Sequence, residues 1–72
     1  MDAQTLYRMY RPYAVEIAPK YGVELHDALH ALARAARQCP SRMESHRAAR
    51  FMRERLEFEI LEANLRLESR GA

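Results

Sequence analysis

Cysteine, glycine and long hydrophobic runs are scarce in this sequence of 72 residues. The single cysteine, Cys39, excludes an intrachain disulfide framework. With two glycines the chain has no glycine-rich phosphate-binding loop, and no apolar run approaches the roughly 20 residues that a membrane span requires. The first four residues lack the basic and apolar regions of a signal peptide. These absences exclude several classes of protein and predict a cytoplasmic location.

The composition is that of a small globular domain. Hydrophobic residues make up 49% of the chain and charged residues 31%. A chain of this length forms one domain at most, which we take to span residues 1–72. Domains this small bury a limited share of their surface, and they commonly rely on disulfides, metals or oligomerisation. Because no disulfide framework is available, we expect the domain to associate with a second copy of itself.

A long C-terminal helix is the main feature that the sequence predicts. Residues 41–44 (Ser-Arg-Met-Glu) fit a capping box, in which the side chains of Ser41 and Glu44 satisfy each other's free amides. Gly71 stands where a helix commonly ends. Between these signals there is neither glycine nor proline, and good helix formers dominate. The sequence therefore predicts a helix over residues 41–70.

The apolar residues of this helix fall into two stripes on nearly opposite sides. The first stripe, which we expect to face the core of the chain, comprises Ala49, Met52, Leu56, Ile60, Ala63 and Leu67. The second stripe keeps a seven-residue step typical of a helix–helix seam, interrupted by a glutamate at position 54. We predict that this second stripe is a dimer interface, with the shorter helices of the same chain as the alternative cover. It comprises Phe51, Phe58, Leu61 and Leu65.

The charges of the long helix are distributed against the helix dipole. Its first half is mainly basic and its second half mainly acidic, whereas the dipole favours acidic residues near the N-terminus. In two antiparallel copies, each basic half would lie beside the acidic half of the other. We therefore predict an antiparallel homodimer. The alternative is a solvated face without a partner, because exposed ion pairs contribute little.

The first third of the chain predicts two short helices. Apolar and aromatic positions recur at helical spacing from Leu6 to Tyr21. Pro12 falls inside this pattern, where it removes an amide donor and crowds the turn before it. We therefore expect a break near Arg11, with Pro12 opening a second short helix that ends by Gly22.

A third short helix follows, and it should stop before Pro40. Only a few residues then connect it to the long helix, so we expect the two to pack as an antiparallel helical hairpin. The predicted fold class is all-α, with three short helices and one long helix.

Residues 14–32 resemble a helix-turn-helix DNA-binding motif. The resemblance lies in residues 17–23, which follow the apolar-Ala-x-x-apolar-Gly-Val spacing of the first helix and turn. The next helix departs from the motif, because Leu25 and Leu29 stand where a recognition helix exposes polar residues. Pro19 also lies inside the expected first helix. The resemblance implies DNA binding through this segment.

The histidine pair and the single cysteine each lack residues that a metal site or a catalytic site requires. His26 and His30 have the spacing of a two-histidine zinc grip, but no well-placed third ligand follows. Cys39 lies near Arg37 and Arg42, which could lower the pKa of its thiol. Nothing in the sequence supplies the histidine and orienting group that a catalytic cysteine needs. We predict no enzyme activity, no cofactor and no metal.

Tyrosines and arginines are the predicted partner-binding residues, because both are enriched at interfaces. They are Tyr7, Tyr10, Tyr13, Arg34, Arg37, Arg42, Arg47 and Arg50. The sequence predicts a non-enzymatic regulator or adaptor that, as a homodimer, occludes a partner protein with an acidic surface. The alternative is a dimeric nucleic-acid-binding regulator that uses residues 14–32 and the basic cluster within residues 34–55. Neither reading involves a membrane.

Overall fold

The computed structural model describes the backbone of residues 1–71 and the side chains of residues 1–65. The chain forms three α-helices: α1 (Ala3–Ile17), α2 (Leu25–Gln38) and α3 (Ser45–Gly71). Residues 1–71 contain no strand, so the predicted all-α class is confirmed. Within the described part of the chain, no helix combines the length and the apolar composition that a bilayer crossing needs.

The predicted break near Arg11 is wrong, because α1 is a single helix with Pro12 inside it. Proline removes the hydrogen bond to the carbonyl four residues earlier, which here belongs to Arg8. Both Pro12 and Arg8 are exposed, so the interruption lies on the solvent side, where water satisfies a free carbonyl. Leu6 and Ala14, on either side of the proline, are buried. Packing on both sides of Pro12 therefore keeps the helix continuous.

The turn after α1 ends at Gly22, as the sequence predicts. The amide of Val23 donates to the carbonyl of Ala18 at 3.0 Å, and the amide of Gly22 donates to the carbonyl of Pro19 at 3.2 Å. This pair of bonds is the Schellman arrangement, which requires a left-handed residue after the last turn. Gly22 supplies it with a φ of 66°, which glycine adopts without the strain that a side chain would add.

The predicted capping box at residues 41–44 is wrong. The amide of Met43 donates to the carbonyl of Pro40 at 3.2 Å, which closes a turn around Ser41. The helix α3 begins only at Ser45. The chain is therefore still reversing at residues 41–42, where the sequence pattern predicts the first helical turn.

The core forms where α2 packs against both α1 and α3. Most of the side chains that α2 buries are small, which lets its neighbours approach closely. They are Ala28, Ala31, Leu32, Ala35 and Ala36.

The first stripe of α3 faces this core, which confirms its prediction. Met52, Leu56 and Ile60 are buried. Ala49 and Ala63 are partly buried, whereas Leu67 lies outside the described side chains. The second stripe, on the opposite side of α3, therefore faces away from this core.

Candidate protein-binding surface

The second stripe of α3 is mostly exposed, and we call its four residues the outer face of α3. Phe58 and Leu61 are each 48% exposed and Leu65 is 63% exposed, while Phe51 is partly buried against the core. Among the side chains of residues 1–65, the shorter helices thus leave three of the four uncovered. Contiguous exposed apolar side chains of this size are typical of interaction sites.

A shallow groove lies on the outer face. Phe51, Glu54, Arg55 and Phe58 line it, and these four positions are spaced i, i+3, i+4 and i+7 along the helix. The central guanidinium carbon of Arg55 lies 4.6 Å from the centre of the Phe58 ring, within the range of a cation–π contact. Two aromatic rings and two side chains of opposite charge line the groove, which makes it suitable for an apolar side chain.

Behind this groove, Glu59 ties α3 to α2. Its carboxylate accepts hydrogen bonds from Nε of Arg34 at 3.0 Å and from Nε2 of Gln38 at 2.8 Å. Nη2 of Arg55 lies 3.3 Å from the same carboxylate. Glu59 is 8% exposed, so this is a buried ionic cluster that orients Arg55 at the edge of the groove. The spacing of Arg55 and Glu59 in the sequence indicates their ion pair but not the two bonds from α2.

The pKa of Glu59 lies below its usual value. Burial raises the pKa, but the hydrogen bonds from Gln38 and Arg34 and the charges of Arg34 and Arg55 outweigh that effect and lower it. The carboxylate is therefore ionised at neutral pH and pairs with both guanidinium groups.

Removing this charge should destabilise the fold. We expect Glu59→Gln to lower the free energy of unfolding by about 1–3 kcal/mol, because it leaves Arg34 and Arg55 without an anion. The control, Arg50→Gln, removes the exposed pair with Glu54 from the side away from the groove, and should change the stability by less than about 1 kcal/mol. Urea unfolding of both variants at neutral pH checks the difference. Equal losses in the two variants would show that the Glu59 cluster contributes no more than a surface pair.

The stabilisation that Glu59 contributes should decrease at acidic pH. Because folding lowers the pKa of Glu59, its stabilisation is present above the pKa of an unfolded glutamate, about 4.3. The stabilisation is lost as the pH falls through the folded value. The difference between the native chain and Glu59→Gln should therefore shrink as unfolding is measured at progressively lower pH below about 5.

The three predicted tyrosines lie on α1 and pack their rings against the core, each partly buried. Only Tyr13 has its hydroxyl engaged within the described side chains, donating to Oε1 of Glu57 at 2.8 Å. Burial and Glu57 raise the pKa of Tyr13 to about 12. Tyr13 is thus a link between α1 and α3, whereas the hydroxyl groups of Tyr7 and Tyr10 remain available.

The predicted arginines divide into two groups. Arg34 is bound by Glu59, and Nε of Arg50 donates to Glu54 at 3.0 Å. Three others are exposed, and among the side chains of residues 1–65 no carboxylate pairs with them; they are Arg37, Arg42 and Arg47. These three arginines lie in or beside the turn between α2 and α3, where their positive charges are available to a partner.

The candidate histidines lie on the surface near the start of α2. Nδ1 of His26 is 3.2 Å from Glu24, and its Nε2 is 3.2 Å from Asp27. The ligand atoms of these three residues lie within 4.8 Å of one another, and all three residues are exposed. His30 instead meets the His26 ring edge-on, with the centroids 6.1 Å apart. Exposed groups of this kind are common without a bound ion.

The arginines near Cys39 do not lower the pKa of its thiol. Cys39 is buried, and burial raises the pKa of its thiol. Arg37 and Arg42 are both exposed, so water screens their charges from the sulfur. Cys39 is therefore a small core residue that stays protonated at neutral pH.

The segment with helix-turn-helix resemblance forms the end of α1, the Gly22 turn and the first part of α2. Ala28, at the buried position of the motif, is fully buried, whereas Leu25 is 47% exposed. Glu24 and Asp27 surround His26 at the start of α2. Two carboxylates at this end would repel the phosphates of a duplex that approached α2.

The comparisons with known proteins give no match: no protein-family model, no curated protein and no solved structure matches the chain. The proposal for its function therefore rests on the surfaces described above.

Proposed function

We propose that this protein is a non-enzymatic regulator or adaptor that acts as a homodimer and binds another protein. The observation that carries the proposal is the outer face of α3, where Phe58, Leu61 and Leu65 are exposed. The same helix buries its opposite side in the core, at Met52 and Leu56. A helix with apolar stripes on two sides needs a cover for each.

The charges of α3 support a second, antiparallel copy as that cover. Arg47 and Arg53, in the first half of the helix, are exposed. Glu57 and Glu62, in the second half, are partly buried at its flanks. An antiparallel partner would bring acidic and basic halves together at both ends of the seam.

The partner-binding surface that we propose combines the available arginines with the N-terminal tyrosines. Arg37, Arg42 and Arg47 surround the turn between α2 and α3, and arginine donates well to carboxylates. The amino group of Met1 donates to the carbonyl of Ser41 at 2.7 Å, which brings the start of α1 to the same turn. An acidic protein surface fits this arrangement, and docking there would occlude that surface from its other partners.

The non-enzymatic part of the proposal is supported by Cys39, whose buried thiol has a raised pKa and is a poor nucleophile. The compartment we propose is the cytoplasm, as the composition of the sequence favours.

The mass of the protein in solution tests the homodimer. Size-exclusion chromatography with light scattering should give about twice the 8.4 kDa of the chain. A mass of one chain at every concentration up to about 100 μM, far above the Kd of a typical specific dimer, would overturn the proposal.

Nucleic-acid binding is the second candidate, and the observation in its favour is that Arg37, Arg42 and Arg47 have no carboxylate partner among the side chains of residues 1–65. Fluorescence anisotropy with a labelled random duplex, at about 50 and about 200 mM salt, distinguishes it from protein binding. Because Glu24 and Asp27 stand at the start of α2, we expect no binding at the lower salt concentration. Tight binding at the lower salt concentration that is lost at the higher one would favour nucleic-acid binding over protein binding as the function.

A further inference from the structure

We propose that the groove on the outer face of α3 receives Leu65 from a second copy of the chain in an antiparallel pair. The inference rests on the proposed homodimer and specifies how its two helices meet. The four lining residues have the i, i+3, i+4, i+7 spacing of a hole on a helix surface. Such a hole accepts one side chain, the knob, from a facing helix. The occupant that the groove fits is therefore a helix.

The seven-residue repeat of the outer face shows which side chains can act as knobs. Phe51, Phe58 and Leu65 occupy the first position of the repeat, and Glu54 and Leu61 occupy the fourth. In a parallel pair, like positions face each other in layers. The groove would then receive Glu54 from the second copy, and two carboxylates would meet between phenylalanine rings at a large desolvation cost.

Reversing one helix brings first positions opposite fourth positions. The groove, which is centred on Glu54 and Arg55, then receives an apolar first-position residue of the second copy. Three registers achieve this, one for each first-position residue. With Phe51 in the groove, Leu61 and Leu65 would lie opposite residues that precede the start of α3, so half of the outer face would have no facing helix. Two registers remain. One places Leu65 of the second copy in the groove and sets Phe58 opposite Leu61, whereas the other is shifted by seven residues and places Phe58 in the groove.

The flanking charges distinguish the two registers. In the Leu65 register, Arg55 faces Glu62 of the second copy, and Glu57 faces Asn64. In the shifted register, Arg55 faces Arg55 and Glu57 faces Glu57, so like charges meet on both flanks. Opposite charges at flanking positions set the alignment of paired helices. The Leu65 register is therefore the one that the groove and the charges favour together.

The geometry of Arg55 adds to this preference. Glu59 holds the guanidinium at 3.3 Å, and the Phe58 ring lies beneath it at 4.6 Å. Its side chain is nevertheless 35% exposed, so one side of the group still faces outward at the edge of the groove. Arg55 is thus already oriented before a second copy arrives, and little of its conformational entropy is lost when the second copy docks.

Cysteine cross-linking tests the register. Glu54→Cys and Leu65→Cys are made separately, with the native Cys39 kept because it is buried. Equilibration in a glutathione redox buffer should link the two variants when they are mixed, because positions 54 and 65 face each other across the seam. Neither variant alone should form a covalent dimer, and the native chain serves as the control for Cys39.

A third variant, Arg47→Cys, reports the shifted register, in which position 47 faces position 65. We expect no link between Arg47→Cys and Leu65→Cys. A covalent dimer from Glu54→Cys alone, or a link between positions 47 and 65, would overturn the proposed register while leaving the homodimer in place. A dimeric mass without any link between positions 54 and 65 would overturn it as well. A monomeric native chain would instead overturn the proposed function.

Discussion

Phe58→Glu is expected to convert the dimer into a monomer and to leave the three helices intact. Phe58 lies at the centre of the outer face and is about half exposed in the single chain, so the fold tolerates a charge there. In the proposed pair, the new carboxylate would be removed from water against Leu61 of the second copy, and it would disturb Arg55, which packs on the Phe58 ring. The dimer affinity should fall at least about 100-fold, in line with the effect of charging the centre of an interface. Light scattering should give the mass of one chain, with an unchanged far-ultraviolet circular dichroism spectrum.

Leu25→Glu is the matched control for this prediction. Leu25 has nearly the same exposure as Phe58, 47% against 48%, but it lies at the start of α2 and outside the outer face. We expect this variant to remain dimeric. If Phe58→Glu keeps the dimer mass, or if Leu25→Glu loses it equally, the outer face of α3 is not the seam.

Leu56→Asp is expected to unfold the chain. Leu56 is among the largest fully buried side chains and lies on the core side of α3. A carboxylate there has to be buried without a partner or protonated, and either alternative costs several kcal/mol. A domain of this size has a stability of only about 3–5 kcal/mol from a single core. The helical signal at 222 nm should fall toward that of an unfolded chain at 25 °C.

The matched control is Leu61→Asp, which makes the same change on the opposite side of α3. Leu61 is 48% exposed, so the variant should stay helical while losing the dimer. If Leu56→Asp remains folded and Leu61→Asp does not, the two stripes have been assigned to the wrong sides.

The division of α3 into two sides could be predicted from the sequence because it depends only on helical periodicity. Met52, Leu56 and Ile60 recur every four residues, which keeps them on one side of any α-helix, and all three are buried. The predicted break at Pro12 was wrong because the continuity of α1 depends on packing between helices and not on local sequence. A local rule for proline takes no account of Leu6 and Ala14, whose burial on either side of it keeps the helix continuous.

The site was predicted less completely than the fold. The spacing of Arg55 and Glu59 indicates an ion pair, but the burial of Glu59 depends on where α2 crosses α3, which no local pattern encodes. Arg34 and Gln38, which bind Glu59, are separated from it by 25 and 21 positions in the sequence. The raised pKa of Cys39 could not be predicted for the same reason, because the nearby arginines are visible in the sequence and the burial of the thiol is not.

The alanines of α2 have a consequence for how uniquely the chain folds. A helix that contacts its neighbours mainly through methyl groups presents a smooth surface, and small sliding motions along such a surface break few contacts. The hydrogen bonds that Glu59 accepts from Arg34 and Gln38 add a directional contact that resists such sliding. These two hydrogen bonds have a defined direction, so the Glu59 carboxylate helps to fix the position of α2 along α3.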